Sequence, residues 1–251
     1  MVSEAYERSA DVRKIIVAPG NPFIEYKRKK EVIVDPACDL KDAASICAIA
    51  EKYKPDIIDI AQDDAIATGA GDVLREQGFN VFCPSRAAAR IESDKIWADM
   101  FGQRHDIPVP VSRAFRSQGG AAVRYVRERY KYKDDPRPVL WVKASGSAAG
   151  KGALKATNLR EALQNIRDMR LFGDAEKAFV IQDHLTGREF SYTVIADGKT
   201  FLPFKPATDH KRALAFDEGR QTGGMATVSP VGRITPAVAR QIETELVSPT
   251  L

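Results

Sequence analysis

The sequence predicts an α/β domain built on a doubly wound parallel sheet, followed by an α+β half of antiparallel strands and helices. Three observations carry this. From Arg13 to Cys83, short apolar runs alternate with helical stretches, as in chained βα units. After Ala178, strands follow one another directly, and Asp197-Gly198 is a hairpin signal. Between the halves, the apolar run Pro138–Lys143 ends on a lysine. A loop of small residues follows, Ala144-Ser145-Gly146-Ser147-Ala148-Ala149-Gly150-Lys151-Gly152, and then a second short strand, Ala153-Leu154-Lys155.

Residues 3–12 read as the tail of a helix, and 13–18 as a strand ending in Pro19-Gly20-Asn21-Pro22. Glu31–Asp35 is a second strand. Asp39 is placed to cap a helix whose apolar side holds Ala43, Ile46, Cys47, Ile49 and Ala50. Lys54-Pro55 ends that helix. Asp56–Ile60 is a buried-type strand, 67–77 a helix stopped by Gly78, and 79–83 another strand. Gly20-Asn21-Pro22, Gln62-Asp63-Asp64 and Pro84-Ser85 are then the loops leaving the strands' carboxyl ends, where such sheets bind ligands. The basic run Lys27–Lys30 reads as a solvated surface.

Ser85 and Ser93 stand where helix caps belong. The second helix carries Ile96, Trp97, Met100 and Phe101 as an apolar stripe, with Trp97 in the core and Lys95 just off the stripe. His105–Pro110 reads as an extended linker and a boundary between the halves. Residues 118–131 form a helix, 134–136 a loop, and Asn158 caps a helix running through Met169 and Leu171. Residues 178–182, 188–196 and 200–204 are strands. Residues 205–230 read as a long polar loop, of the kind that is functional or disordered. Thr235-Pro236 opens a final helix through Val247.

The chain has 251 residues, 44% apolar and 29% charged, with a net charge of +4. That composition supports a real core, and no run of eighteen apolar residues indicates a membrane span. The mild positive charge suits an anionic small molecule better than nucleic acid, because the basic runs lack interleaved aromatics. Cys38, Cys47 and Cys83 have no metal-ligand spacing, so they read as reduced thiols of a cytoplasmic protein.

Alone, the small-residue loop fits either a flexible hairpin or a cover for phosphates, since small residues let backbone N–H groups approach an anion. It is not a Walker loop, because Gly150-Lys151 is followed by a strand and not by Ser/Thr and a helix. A glycine loop between two strands, with a lysine on the first, is another way to hold a triphosphate. The strand ending Gln182-Asp183-His184-Leu185 could then meet an adenine edge, and Glu189 could take the ribose hydroxyls.

At this point the chain resembles the phosphoribosylamine–glycine ligase family, whose members are ATP-grasp enzymes. The resemblance rests on Val17-Ala18-Pro19-Gly20-Asn21-Pro22, Pro84-Ser85-Arg86-Ala87-Ala88 and Glu92-Ser93-Asp94-Lys95. It continues through Val142-Lys143-Ala144-Ser145-Gly146, Ala148-Ala149-Gly150-Lys151-Gly152 and Gly187-Arg188-Glu189-Phe190-Ser191. Asp209-His210-Lys211-Arg212 and Thr222-Gly223-Gly224-Met225 with Ser229-Pro230 complete it, all in the family's order.

The resemblance implies an N-terminal α/β domain over 1–92, a linker helix and ATP-grasp small subdomain over 93–187, and the start of the second subdomain over 188–251. It implies ATP contacts from Lys95, Lys143, Gly146, Ser147, Ala148, Gly150, Lys151, Gly152, Gln182, Leu185 and Glu189. Gly20, Asn21, Pro22, Asp209, Lys211, Gly223 and Gly224 match segments near glycine and the aminosugar phosphate. The implied partners are ATP with Mg2+, glycine and 5-phosphoribosylamine, for a monomer or weak oligomer in purine synthesis. No residue is assigned a catalytic role. The departures are Ala61-Gln62-Asp63 for the family's Gly-Pro-Glu, Gln182-Asp183-His184-Leu185 for its Glu-Glu-Phe-Leu, and Gln221 and Ala226 for the Asn and final Gly of its Asn-Thr-Gly-Gly-Met-Gly. The family's opening strand would precede Ser3 and its metal ligands would lie beyond residue 251, so the expectation is a fold cut at both ends, with no metal site within this chain. A sister ligase with another carboxylate substrate, and a non-catalytic nucleotide-binding module, remain the alternatives.

Overall fold

In the computed structural model, which describes residues 2–116, 120–131, 138–146, 152–172 and 178–251, the chain divides into two units, Met1–Arg90 and Ile91–Leu251. The first runs α1 (Val2–Arg8), β1 (Lys14–Val17), β2 (Glu31–Val34), α2 (Ala43–Tyr53), β3 (Ile58–Asp59), α3 (Asp63–Thr68), α4 (Ala70–Glu76) and β4 (Val81–Phe82). β1 pairs with β2 and β3 with β4, both parallel as predicted. Among the described residues the pairs form two separate ladders. Ile46, Ala50, Ile60, Ala65, Ala70 and Leu74 make this unit's core.

Three sequence expectations change here. Asp42, not Asp39, caps α2, accepting the Ala44 N–H at 3.0 Å. Asp39 instead closes its own turn on the Lys41 N–H at 2.9 Å, a local bond that competes with helix. The helix predicted over 67–77 is two helices, because Gly69 turns left-handed at φ +82° and ends α3 before α4 begins. The basic run is only partly solvated. Arg28 donates to the Ile24 carbonyl at 2.5 Å and faces Glu7 at 3.5 Å, while the Lys30 ammonium donates to the carbonyls of Ser9 and Val12. These bonds tie the end of α1 to the loop before β2.

The second unit opens with α6 (Lys95–Arg104), reached through the short helix α5 (Arg90–Ser93). Asp94 caps α6 through the Trp97 N–H at 3.1 Å, so Ser93 ends α5 and is not the cap. The segment 105–110 lies inside this unit and is not a boundary. It folds back on α6: a Cβ on Gly102 would meet Val109 Cγ1 at 2.6 Å. Trp97 is half-buried and stacks on Phe101 at 5.1 Å, outside the buried core.

β5 (Ser112–Arg116), α7 (Gly120–Arg129), β6 (Leu140–Ala144), β7 (Ala153–Ala156), α8 (Leu159–Asp168) and β8 (Ala178–Asp183) follow. The four strands form one antiparallel sheet in the order β5-β8-β6-β7. β6 alternates: Leu140, Val142 and Ala144 are buried, Trp141 and Lys143 half-exposed. The buried side packs on Ala122 and Val126 of α7 and Ala162 and Ile166 of α8, with α8 capped by Asn158 as predicted. Trp141 and Lys143 therefore share the opposite face.

Beyond β8, the strand predicted over 188–196 shortens to β9 (Val194–Ala196) and a single bridge from Ser191 to Ala207. β9 pairs with β10 (Phe201–Pro203). The predicted long loop is instead a ribbon, β11 (Thr208–Leu214) against β12 (Glu218–Val228). Its residues are mostly exposed, so no apolar alternation marks it in the sequence. α9 (Pro236–Ile242), capped by Thr235, continues as a wider turn through Val247. Among the described residues, no helix is long and apolar enough to cross a membrane.

Candidate functional site

The site is built outward from Lys143. The pleat of β6 puts its side chain on the face opposite the helices, where its Nζ donates to Gln182 Oε1 of the neighbouring β8 at 2.5 Å. Burial lowers the pKa of Lys143, and the positive charge of Lys95 lowers it further. The charge of Lys211 adds to this, and the Glu189 carboxylate opposes it. Side chains from α6, β8 and β11 and from the segment after β8 thus bear on one ammonium group. A half-buried lysine crowded by two like charges and bonded to a neutral amide carries positive charge that an anion can compensate.

The small-residue loop leaves from the same place. Its base is closed by the Ala144 N–H to the Gly152 carbonyl at 2.9 Å and by the Ser145 N–H to the Ala178 carbonyl at 2.9 Å. Gly146 turns with φ +131°, a conformation that favours glycine. Ser147, Ala148, Gly150 and Lys151 lie outside the described residues. Ser145 Oγ donates to Asp94 Oδ1 at 3.1 Å and accepts the Ile96 N–H at 3.3 Å. This clamp fixes the loop's first residues to the start of α6, where Lys95 stands. Sequence reading missed it because Ser93 and Asp94 are both good caps, and only the fold says which is used.

At the end of β8, each residue of Gln182-Asp183-His184 has its side chain held. Gln182 takes Lys143, Asp183 takes Arg129 of α7 at 2.8 Å, and His184 Nδ1 accepts the Trp141 indole N–H at 3.0 Å. The backbone N–H groups of Asp183 and His184 go to the carbonyls of Val111 and Val139, at 2.9 and 3.0 Å. Leu185 is next and is 65% exposed, so this turn ends on an apolar side chain facing out.

Glu189 is exposed and pairs with Lys211 at 3.0 Å, and Lys211 also approaches Asp209 at 3.9 Å. The β11–β12 register shifts between His210 and Arg212, a bulge of the kind that re-aims side chains beside sites. Thr222 Oγ1 donates to the Lys211 carbonyl at 2.8 Å and accepts the Gly224 N–H at 3.1 Å. Gly224 has φ +130°, and a Cβ there would lie 3.0 Å from Asp209 Oδ1. The backbone therefore comes close to the Asp209 carboxylate. Lys95, Lys143, Gln182, Glu189, Asp209 and Lys211 are thus linked by charge or hydrogen bonds, with Gly224 against Asp209; Gly223 is exposed beside it.

In the first unit, Gly20, Asn21 and Pro22 follow the carboxyl end of β1. Gly20 has φ +65° and packs near Val34, and Asn21 Oδ1 accepts the Phe23 N–H at 3.0 Å to cap the short turn Pro22–Glu25. All three are exposed.

Among the described residues no group of three or more His, Cys, Asp or Glu could hold an ion. Those residues do not form a magnesium site.

Comparison with known proteins matches residues 2–92 to the phosphoribosylglycinamide synthetase N domain and residues 93–251 to the phosphoribosylglycinamide synthetase ATP-grasp (A) domain. The phosphoribosylamine–glycine ligases of Vibrio parahaemolyticus and Ralstonia nicotianae are each 35% identical to the chain over 97% of its length, which is 55% and 56% of theirs. The chain thus spans about half the length of the curated relatives it matches. The crystal structure of phosphoribosylamine–glycine ligase from Thermotoga maritima has a TM-score of 0.74 at 22% identity, over 99% of this chain and 56% of that one. N5-carboxyaminoimidazole synthetase from Staphylococcus aureus complexed with ADP has a TM-score of 0.65 at 14% identity, over 98% and 60%. At those identities the solved structures speak for the fold. The two domain matches run from residue 2 to the last residue, and the chain belongs to the phosphoribosylglycinamide synthetase family, as its N domain followed by its ATP-grasp domain.

Proposed function

We propose that this chain supplies the ATP-binding part of a phosphoribosylamine–glycine ligase of purine synthesis. The reaction is the phosphorylation of the glycine carboxylate by ATP, giving glycyl phosphate and ADP. The amine of 5-phosphoribosylamine then attacks the acyl carbon, phosphate leaves, and the amide forms. The observation that carries this reading is the crowding of Lys95 and Lys211 on the half-buried Lys143 ammonium. In this reading Lys95 and Lys143 hold the phosphates, and the loop from Gly146 to Gly152 covers them. Gln182 and Leu185 border the adenine, and Glu189 takes the ribose. Asp209, Lys211 and the Gly223-Gly224 segment border glycine, and Gly20-Asn21-Pro22 take the aminosugar phosphate. Fixed positive charge aimed at a phosphoryl group is what such a transfer requires, since positioning and electrostatics supply most of its acceleration. We place the protein in the cytoplasm, where its three free thiols suit a reducing compartment.

Calorimetry with ATP tests the reading. Lys143→Ala removes a charge-assisted contact, which should cost about 1.5–3 kcal/mol, a tenfold or greater loss of affinity. Lys14→Ala, which removes only the exposed pair with Glu31, should bind as the parent does. Glu189→Ala should weaken ATP while moving stability by no more than about 0.5 kcal/mol, as expected of an exposed side chain. Equal losses at Lys14 and Lys143 would sink the assignment. ADP release that depends on glycine and phosphoribosylamine tests the reaction, and exchanging glycine for other amino acids separates a sister ligase.

A further inference from the structure

The turn after β8 carries a histidine that is bonded to a tryptophan forty-three positions away. His184 Nδ1 accepts the Trp141 indole N–H at 3.0 Å, and the rings lie 6.1 Å apart, tilted by 49°. An indole N–H only donates, so the imidazole is neutral and carries its proton on Nε2. Trp141 in turn stands under two ammonium groups: Lys143 on its own strand, 5.9 Å from the ring centroid, and Lys155 on β7, at 6.0 Å. Both contacts are of the cation–π kind.

We propose that His184 is a positioning residue of the nucleotide site, fixing through its bond to Trp141 the indole plane against which Lys143 is set. The proposal rests on the nucleotide reading above. A Phe at 184 fills the same space but leaves the indole N–H without an acceptor and the plane free to turn. The bond also requires a neutral imidazole, because a protonated ring presents a second donor to the indole. The surrounding charges keep it neutral. Burial and the Lys155 charge hold its pKa below the ordinary 6.5. The adjacent Asp183 carboxylate, which would favour protonation, is taken by Arg129 at 2.8 Å.

The test uses the 15N-labelled protein and ADP. The chain has two tryptophans, so Trp141→Phe identifies the Trp141 indole resonance. In the parent this resonance should move as the pH falls below the ordinary imidazole value of 6.5. His184→Phe should shift it at pH 7.5 and weaken ADP about fivefold, as loss of one hydrogen bond predicts. His184→Asn, whose amide oxygen can replace Nδ1 and does not titrate, should bind ADP within about twofold of the parent. The parent should lose affinity relative to His184→Asn between pH 7.5 and 5.5, a comparison that cancels the protonation of ADP itself. A His184→Phe variant that binds ADP like the parent overturns the proposal. So does an indole resonance that responds to neither pH nor His184→Phe in a protein that binds ADP, and that outcome leaves the nucleotide reading standing. A parent whose indole responds as expected but which does not bind ADP overturns the nucleotide reading, and the positioning role with it.

Discussion

Asp35 illustrates what one side chain does in the first unit. It is 5% exposed at the end of β2 and accepts Lys52 Nζ at 2.6 Å, Tyr53 OH at 2.9 Å and the Ala37 N–H at 3.1 Å. The bond from Lys52, then those from Ala37 and Tyr53, hold its pKa below the ordinary 3.8, and the same pair raises Lys52 above 10.5. The signs follow from linkage. A lowered carboxylate stabilises the fold fully above its unfolded pKa and loses that share as pH falls from about 4 through its folded value. A raised lysine contributes below its unfolded pKa and loses its share as pH rises through its folded value, above 10.5. Melting temperature against pH should therefore fall more steeply below pH 4 in the parent than in Asp35→Asn, which should start lower at pH 7. Parallel acid limbs would show that Asp35 is not a source of the acid sensitivity.

At the scale of elements, α4 packs closely on the residue that follows β4. A Cβ on Gly71 would lie 2.2 Å from Cys83 Sγ, so Gly71→Ala should destabilise the fold by about 1–3 kcal/mol through overpacking. Denaturant unfolding should show this, with much of the loss recovered when Cys83→Ala is added. Elements with a core side were legible in the sequence. β6 and β8 are apolar where they meet α7 and α8, and Asn158 caps where its type says it should. β5 was missed because Phe115 alone of its five residues is buried. The β11–β12 ribbon reads as a loop because none of its described side chains is buried, and backbone pairing leaves no mark on hydropathy. Of the candidate site, the lysines and the small-residue loop were legible by type. The Asp94–Ser145 clamp and the Trp141–His184 bond were not, since each joins residues more than forty positions apart through the fold alone.

At the scale of the molecule, each unit has its own core, Cys38 to Leu74 in the first and Phe115 to Ile181 in the second. The lysines that bear on Lys143 all belong to the second unit. ADP should therefore slow amide exchange in β6, β8 and the start of α6, and leave β1 to β4 as they were. Hydrogen exchange read by mass spectrometry checks this, and equal protection of both units would contradict it. The crowding at Lys143 also has a consequence for handling the protein. Three ammonium groups set against the two carboxylates of Glu189 and Asp209 leave an excess of positive charge that any multivalent anion relieves on binding the folded chain, so the composition of the buffer becomes a stability variable. At matched ionic strength, phosphate should raise the melting temperature more than chloride does, and Lys143→Met should narrow that difference.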